Sequence, residues 1–99
     1  MDGFEWDPRK EARNVRKHGI DFTNASLIWE GPVEERVDER QDYGETRILA
    51  SGKTEERIIV VVYTWRATKR RIISARRAKA RERSRYEEEI NRRTRAPPN

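Results

Sequence analysis

The apolar residues of this 99-residue chain are concentrated in a few segments. The strongest segment is Ile58 to Trp65, in which every residue is β-branched or aromatic, and it predicts a strand from Arg57 to Trp65. Because this run is apolar on both faces, we expect a central strand that is covered on both sides. Thr46 to Gly52 and Arg70 to Ala75 are further strand candidates, and the acidic segment Val33 to Val37 is a weak one.

Turn-forming segments at 52–56 and 66–69 separate the last three predicted strands and indicate an antiparallel meander. Side chains alternate between the two faces of a strand. In the last strand this alternation places Ile72, Ser74 and Arg76 on one face. It places Arg71, Ile73 and Ala75 on the other.

Helices are predicted on both sides of the strand region. Asp7-Pro8 is a strong helix start, so we predict a first helix from about Pro8 to Lys17 that stops at His18-Gly19. Asp21 caps a second, short helix that ends at Gly31-Pro32. Its shared apolar face consists of Phe22, Ala25, Ile28 and Trp29.

A third helix is predicted from about Lys79 to Arg92, followed by a tail at 93–99 that we expect to be disordered. The pattern therefore predicts one α+β domain over residues 1–92. This domain has two N-terminal helices, an antiparallel sheet of about four strands and a C-terminal helix. The chain contains no internal repeat.

Charge changes the picture, because residues 1–65 carry 10 Lys or Arg against 14 Asp or Glu, a net charge of −4, whereas residues 66–99 carry 13 against 4, a net charge of +9. A basic C-terminal third points to a polyanion. Nucleic acid is the commonest polyanion, and an acidic protein would give the same composition.

Several site classes are excluded by composition. The chain has no cysteine and one histidine, so it has neither disulfides nor a zinc site of the usual kind, and we expect no metal and no cofactor. The N-terminal residues lack the features of a signal peptide, and no apolar stretch approaches the roughly 20 residues of a membrane helix. We therefore expect a cytoplasmic protein with no membrane partner.

Two sides of the predicted C-terminal helix are candidates for function. A basic stripe consists of Arg77, Arg81, Arg85 and Arg92. It is either a solvated face balanced by neighbouring glutamates or a contact for phosphates or an acidic partner. The other side consists of Lys79, Glu82, Arg83, Tyr86 and Ile90. Its charges form either a structural ion pair or the border of a cleft in which Arg83 meets a phosphate and Tyr86 stacks on a base or supplies a proton.

His18 is a candidate acid or base, although its place at a helix end equally fits a capping role. Trp65 is either a core or lid residue or a stacking surface for RNA. The chain lacks a Gly-rich phosphate loop, a His-Glu-x-x-His motif and a Gly-x-Ser-x-Gly motif. The remaining Arg, Lys, Glu, Tyr and His side chains suit metal-free cleavage of RNA, in which the ribose 2′-OH is the nucleophile.

Six motifs in order resemble the signatures of the BrnT toxins over about Phe4 to Glu87. They are FEWDP at 4–8, NVRKHGIDF at 14–22, GETR at 44–47, VVYT at 61–64, RIISAR at 71–76 and RERSRYE at 81–87. The resemblance implies a RelE-like fold and a ribonuclease toxin of a bacterial type II toxin–antitoxin system that blocks translation. It also implies neutralisation by a BrnA-like ribbon-helix-helix antitoxin, in a heterotetramer that binds operator DNA through the antitoxin.

The resemblance also implies site residues, taken over where the motifs match. The catalytic candidates are Lys17, His18, Glu45, Arg47, Arg76 and Tyr86. The RNA-binding candidates are Ser74, Arg77, Arg81, Arg83 and Arg85. In the roles we assign, Glu45 or Lys17 is the base, Arg47 and Arg76 hold the scissile phosphate, and His18 or Tyr86 is the acid.

The chain departs from the family pattern in three places. The 66–69 hairpin lacks a glycine, Trp65 stands at a typically polar position, and the last helix continues past Tyr86. Two other functional classes stay open: a non-catalytic module whose basic helix grips phosphates, and an interaction protein that docks an acidic partner.

Overall fold

The computed structural model describes residues 3–40 and 42–95. The helices of this part are α1 (Pro8–His18), α2 (Phe22–Ser26) and α3 (Ala80–Thr94), and a 3₁₀ turn (Leu27–Glu30) follows α2. The strands are β1 (Phe4–Trp6), β2 (Glu34–Val37), β3 (Ile48–Thr54), β4 (Arg57–Arg66) and β5 (Lys69–Arg77).

The strands form one sheet in the order β1-β5-β4-β3-β2. Strands β2 to β5 pair antiparallel as a meander, and β1 pairs parallel with β5. The α+β class is confirmed, and β4 lies at the centre of the sheet as predicted. The sequence pattern missed β1, because three residues are too few to show an alternation.

Element boundaries differ from the prediction by a few residues. The predicted second helix divides into α2 and the 3₁₀ turn. Strand β3 continues to Thr54, so the predicted loop at 52–56 shrinks to a turn at Glu55 and Glu56, which both have positive φ. Helix α3 ends at Thr94, so the first two residues of the predicted tail are helical. Residues 96–99 of that tail lie outside the described part of the chain.

The predicted alternation in β5 is wrong because the strand contains a β-bulge. Val62 pairs with Ser74 but Tyr63 pairs with Ile72, which leaves Ile73 as an extra residue between them. Such an insertion reverses the faces of the residues on one side of it. Ile72 therefore shares a face with Ala75, while Arg71, Ser74 and Arg76 share the opposite face.

The two faces of the sheet are covered by different helices. On the α2 face, the core includes Phe22, Ile28, Ile59, Val61, Tyr63 and Ile72. On the α3 face, a smaller cluster contains Leu49, Val60, Val62 and Ala78. The prediction that β4 is covered on both sides is thus confirmed. Gly52 lets the 3₁₀ turn approach β3, since a Cβ at Gly52 would lie 2.6 Å from the Cβ of Ile28.

Asn14 joins α1 to the edge of the sheet. Its side-chain amide donates to the carbonyls of Ile20 (2.8 Å) and Ala75 (2.9 Å), and its side-chain oxygen accepts from the N–H of Ala75 (3.0 Å). Strand β1 reaches only as far as Ile72 along β5. Asn14 therefore takes the place of a neighbouring strand at Ala75 and satisfies backbone groups that would otherwise be buried without partners.

We predict that Asn14→Asp lowers the free energy of unfolding by about 3 kcal/mol, because the change removes two buried donors and sets a carboxylate against two carbonyls. Urea denaturation at neutral pH measures this loss. The matched change Asn91→Asp, at an exposed position of α3, should cost no more than about 0.5 kcal/mol. Equal stability of the two variants would contradict the proposed role of Asn14.

Candidate active site

An open cavity of about 420 Å³ lies on the α3 face, where β2 and β5 meet the first turn of α3. Its basic lining residues are Arg36, Arg40, Arg76 and Lys79, and its acidic ones are Asp38, Glu39 and Glu82. Arg76 reaches this cavity because the bulge at Ile73 sets the direction of the strand that follows. Arg36 pairs with Leu49 across β2 and β3, which places it on the same face.

The carboxylate of Glu82 organises the cavity. It accepts a bidentate pair of hydrogen bonds from Arg76, at 2.7 and 2.9 Å, and a longer one from Arg36 at 3.4 Å. The backbone N–H of Lys79 donates to the same carboxylate at 2.8 Å, which caps the start of α3. One buried side chain thus joins β2, β5 and α3.

The same contacts determine the charge of Glu82. The hydrogen bonds from Arg76 lower its pKa to about 2, against the opposing effect of burial. Glu82 is therefore ionised at neutral pH and is a poor proton acceptor. Glu82 forms an ion pair with Arg76 and also lines the cavity, so both features expected for this side of the helix are present, whereas Arg83 at the next position donates to the carbonyl of Ala78 at 3.0 Å.

A second buried carboxylate, Asp38, holds the other end of the cavity. Arg40 donates to both of its oxygens at 2.8 Å, and the hydroxyl of Tyr43 donates at 3.1 Å. The Arg40 guanidinium holds the pKa of Asp38 well below its usual range. Asp38 is therefore ionised and orients Arg40, as Glu82 orients Arg76. Its backbone N–H donates to the carbonyl of Arg47 at 2.8 Å.

Two predicted catalytic residues contact or form the cavity wall. Arg76 lines the cavity, and the carbonyl of Arg47 accepts a hydrogen bond from the N–H of Asp38. Arg47 forms an ion pair with Glu45 at 3.2 Å, and its guanidinium lies 3.9 Å from the centre of the Tyr43 ring. The predicted RNA-binding residue Ser74 is on the same face, one alternation before Arg76.

The other catalytic candidates lie elsewhere. Lys17 and His18 are the last two residues of α1, and the left-handed Gly19 that ends the helix leads to Ile20 in the core of the α2 face. Among the described residues, neither side chain has a hydrogen bond or an ion pair with the cavity. Tyr86 is buried, burial raises its pKa, and its hydroxyl donates to the carbonyl of Pro32 at 3.0 Å, so it anchors α3 to the segment before β2.

The predicted basic stripe is also rearranged. Arg77 is the last residue of β5 and does not belong to the helix. Arg81 is exposed on α3, Arg85 is half-buried there, and Arg83 contacts the end of β5.

Sequence reasoning did not identify Arg36, Asp38 or Arg40 as site residues, and it placed Lys79 only on a helix face. Arg36 belongs to a four-residue strand that is too short for a clear alternation. The Asp38-x-Arg40 spacing was the available local signal, because a carboxylate two residues before an arginine matches the ion pair that the structure shows.

We predict that Glu82→Gln lowers the free energy of unfolding by about 3 kcal/mol at neutral pH, because it leaves two arginines without their buried partner. Thermal or urea denaturation measures the loss. Glu88→Gln, at an exposed position on the same helix, is the control and should change stability by less than about 0.5 kcal/mol.

The stabilising effect of Glu82 should also depend on pH. The pKa of Glu82 is lowered from 4.5 to about 2 in the folded state, so its contribution to stability is present above 4.5 and is lost as the pH falls toward 2. The stability difference between the wild type and Glu82→Gln should therefore shrink over this range. A difference that stays constant from neutral pH to pH 2 would show that the ionised carboxylate is not the stabilising form.

No three His, Cys, Asp or Glu side chains in the described part of the chain are grouped so that they could hold a metal ion. None of the helices in the ranges 3–40 and 42–95 has the length and apolar character needed to cross a membrane.

The family comparison agrees with the resemblance of the motifs. The model of the family described as the ribonuclease toxin BrnT of type II toxin–antitoxin systems matches residues 6–82, which include all the residues that line the cavity. No curated protein matches the chain. Because the match covers most of its length, this chain belongs to the BrnT family of ribonuclease toxins of type II toxin–antitoxin systems.

Proposed function

We propose that this toxin is a metal-independent endoribonuclease that cuts RNA at the cavity on the α3 face and thereby blocks translation. The observation that supports this site is the convergence of Arg36, Arg40, Arg76 and Lys79, from separate segments of the chain, on one open cavity. Two of these guanidiniums are oriented by the same carboxylate. Oriented cations in a cleft favour the charge that develops on a phosphate during cleavage.

In the proposed reaction, a base removes the proton of a ribose 2′-OH and the 2′ oxygen attacks the adjacent phosphorus. The bond from phosphorus to the 5′ oxygen breaks, and an acid gives that oxygen a proton. The products are a 2′,3′-cyclic phosphate and a 5′-hydroxyl. DNA is not a substrate because it lacks the 2′-OH.

Arg76 is the residue that we assign to the scissile phosphate. Its hydrogen bonds to Glu82 and to the carbonyl of Arg77 occupy three of the five N–H groups of a guanidinium, so two are free for a phosphate oxygen. Glu82 holds the planar group in one orientation, which reduces the entropy lost when the phosphate binds. Arg36 and Arg47 lie on the same face and supply further positive charge.

The base is best assigned to a carboxylate that no arginine holds in a buried pair. Glu82 and Asp38 fail this criterion because their pKa values are lowered by Arg76 and Arg40. Two exposed carboxylates satisfy it: Glu45, which is beside Arg47, and Glu39, which is in the cavity wall. We assign the base to Glu45 and the acid to Lys79, which also lines the cavity; Lys17, His18 and Tyr86 stay predictions.

We predict that Arg36→Gln, Arg76→Gln and Glu45→Gln each lower kcat/KM for single-stranded RNA by about 10²-fold or more, because each removes one charged group from the reacting centre. Cleavage is measured without added metal and with EDTA present, and the 2′,3′-cyclic phosphate end is identified by mass spectrometry. Arg13→Gln, at an exposed position of α1, is the charge-matched control and should keep the wild-type rate.

The pattern of losses locates the site. A loss of activity confined to Lys17→Gln and His18→Gln would move the reaction to the end of α1. A loss of activity in Glu39→Gln but not in Glu45→Gln would reassign the base to Glu39. A folded wild type that binds RNA but cuts none, on ribosomes or free, would replace the enzyme with a non-catalytic RNA-binding module.

The proposed biological setting includes a BrnA-like ribbon-helix-helix antitoxin that joins two toxins in a heterotetramer. We predict that expression of the wild type arrests bacterial growth, and that coexpression of the small gene next to it restores growth. Arg76→Gln should express without arrest while still binding that gene product, as light scattering of the complex would show. Growth arrest that Arg76→Gln leaves intact would separate toxicity from the proposed cleavage.

A further inference from the structure

A second groove, of about 370 Å³, lies on the other side of α3 from the cavity. Its basic lining residues are Lys53, Arg57, Arg77 and Arg83, and Ile58 and Ala78 are its apolar ones. Lys53 pairs with Ile58, and the N–H of Ala78 donates to the carbonyl of Ile58 at 3.0 Å, so these three residues form a row across β3, β4 and the end of β5. Adjacent strands are about 4.8 Å apart, and the row therefore makes a narrow floor between the sheet and the helix.

The charges of this second groove differ from those of the cavity. In the cavity, Arg36, Arg40 and Arg76 all form ion pairs with buried carboxylates. In the second groove, Lys53, Arg77 and Arg83 have no carboxylate within 4.0 Å among the described residues. Glu56 and Glu87 also line the groove, and Arg57 forms a pair with Glu55 at 3.7 Å.

Uncompensated cations from three separate segments repel one another, and this repulsion is relieved when an anion binds between them. Arg83 is already held over the groove by its hydrogen bond to the carbonyl of Ala78, so it does not need to be ordered on binding. Lys53, Arg77 and Arg83 are therefore available to an anion, because Glu56 and Glu87, which also line the groove, form no ion pair with them.

The position of Arg77 connects the groove to the cavity. Arg76 and Arg77 are consecutive residues at the end of β5, and their Cα atoms are about 3.8 Å apart. Arg76 lines the cavity and Arg77 lines the second groove. A ligand that contacts both arginines must pass the start of α3. Such a ligand is a chain that carries several anionic groups.

On this basis we infer that the second groove binds the phosphate backbone of the single-stranded RNA whose scissile phosphate lies at Arg76. The inference rests on the proposed cleavage site. An acidic protein segment fits less well, because protein interfaces depend on buried apolar and aromatic anchors and this groove offers only Ile58 and Ala78. Phosphates need only the lysine and arginines that are present.

The test measures RNA binding separately from cleavage. The probe is a fluorescein-labelled single-stranded oligoribonucleotide with a 2′-O-methyl group on every ribose, which has no free 2′-OH and is not cut. Its Kd is measured by anisotropy over a series of salt concentrations for the wild type, for Arg77→Gln/Arg83→Gln, and for Arg13→Gln/Arg16→Gln. The last variant removes the same charge from two exposed arginines of α1.

We expect the groove variant to raise Kd about 10-fold at low salt and to reduce the slope of log K against log salt concentration by about 0.7 for each lost phosphate contact. The α1 variant should keep the wild-type slope. Melting curves confirm that both variants are folded, and Lys53→Gln, on an exposed side chain of β3, repeats the test without touching α3.

Three results would overturn the inference: a wild-type slope for the groove variant, an equal loss for the α1 variant, or a loss of antitoxin binding with unchanged RNA binding. The last result would assign the groove to an acidic protein. The proposed cleavage is judged separately on a cleavable RNA. A wild type that cuts no RNA but shows the expected slopes would overturn the proposed function and leave the groove standing.

Discussion

The candidate site depends on one buried carboxylate. Burying Glu82 is unfavourable unless its charge is balanced, and the balance comes from Arg76 on β5, Arg36 on β2 and the first turn of α3. The ion pair therefore fixes the helix on the sheet and orients two guanidiniums at the same time. This orientation exists without a ligand, which is the property that preorganised electrostatic sites share.

Much of the fold could be predicted because its signals are local. The β-branched run of β4, the Asp7-Pro8 helix start and the glycine after His18 lie within the elements that they define. The bulge in β5 could not be predicted in this way, because the extra residue exists only relative to the pairing with β4.

The candidate site likewise contains residues that local motifs could indicate and residues that only tertiary contacts reveal. Motif resemblance proposed Arg76, Arg47 and Glu45; Arg76 lines the cavity, and Arg47 forms an ion pair with Glu45. Arg36 was missed because it meets Glu82 across 46 residues of chain, and no sequence spacing encodes that contact. Arg77 was grouped with the arginines of the helix because it lies four residues before Arg81, the spacing of one helical turn. The structure places it at the end of β5. Tertiary pairing, and not composition, decided each of these cases.

The bonds from Asn14 to Ala75 have a consequence for how the molecule behaves at high concentration. The apolar run in β4 has the composition of a segment that forms intermolecular β-structure when its edges are free. Here the run is central, one flank of the sheet is closed by the short β1 and by Asn14, and the other is the four-residue β2 with the sequence Glu-Glu-Arg-Val. Neither flank offers another chain a long, uncharged row of amides, so the sheet resists growth by strand addition.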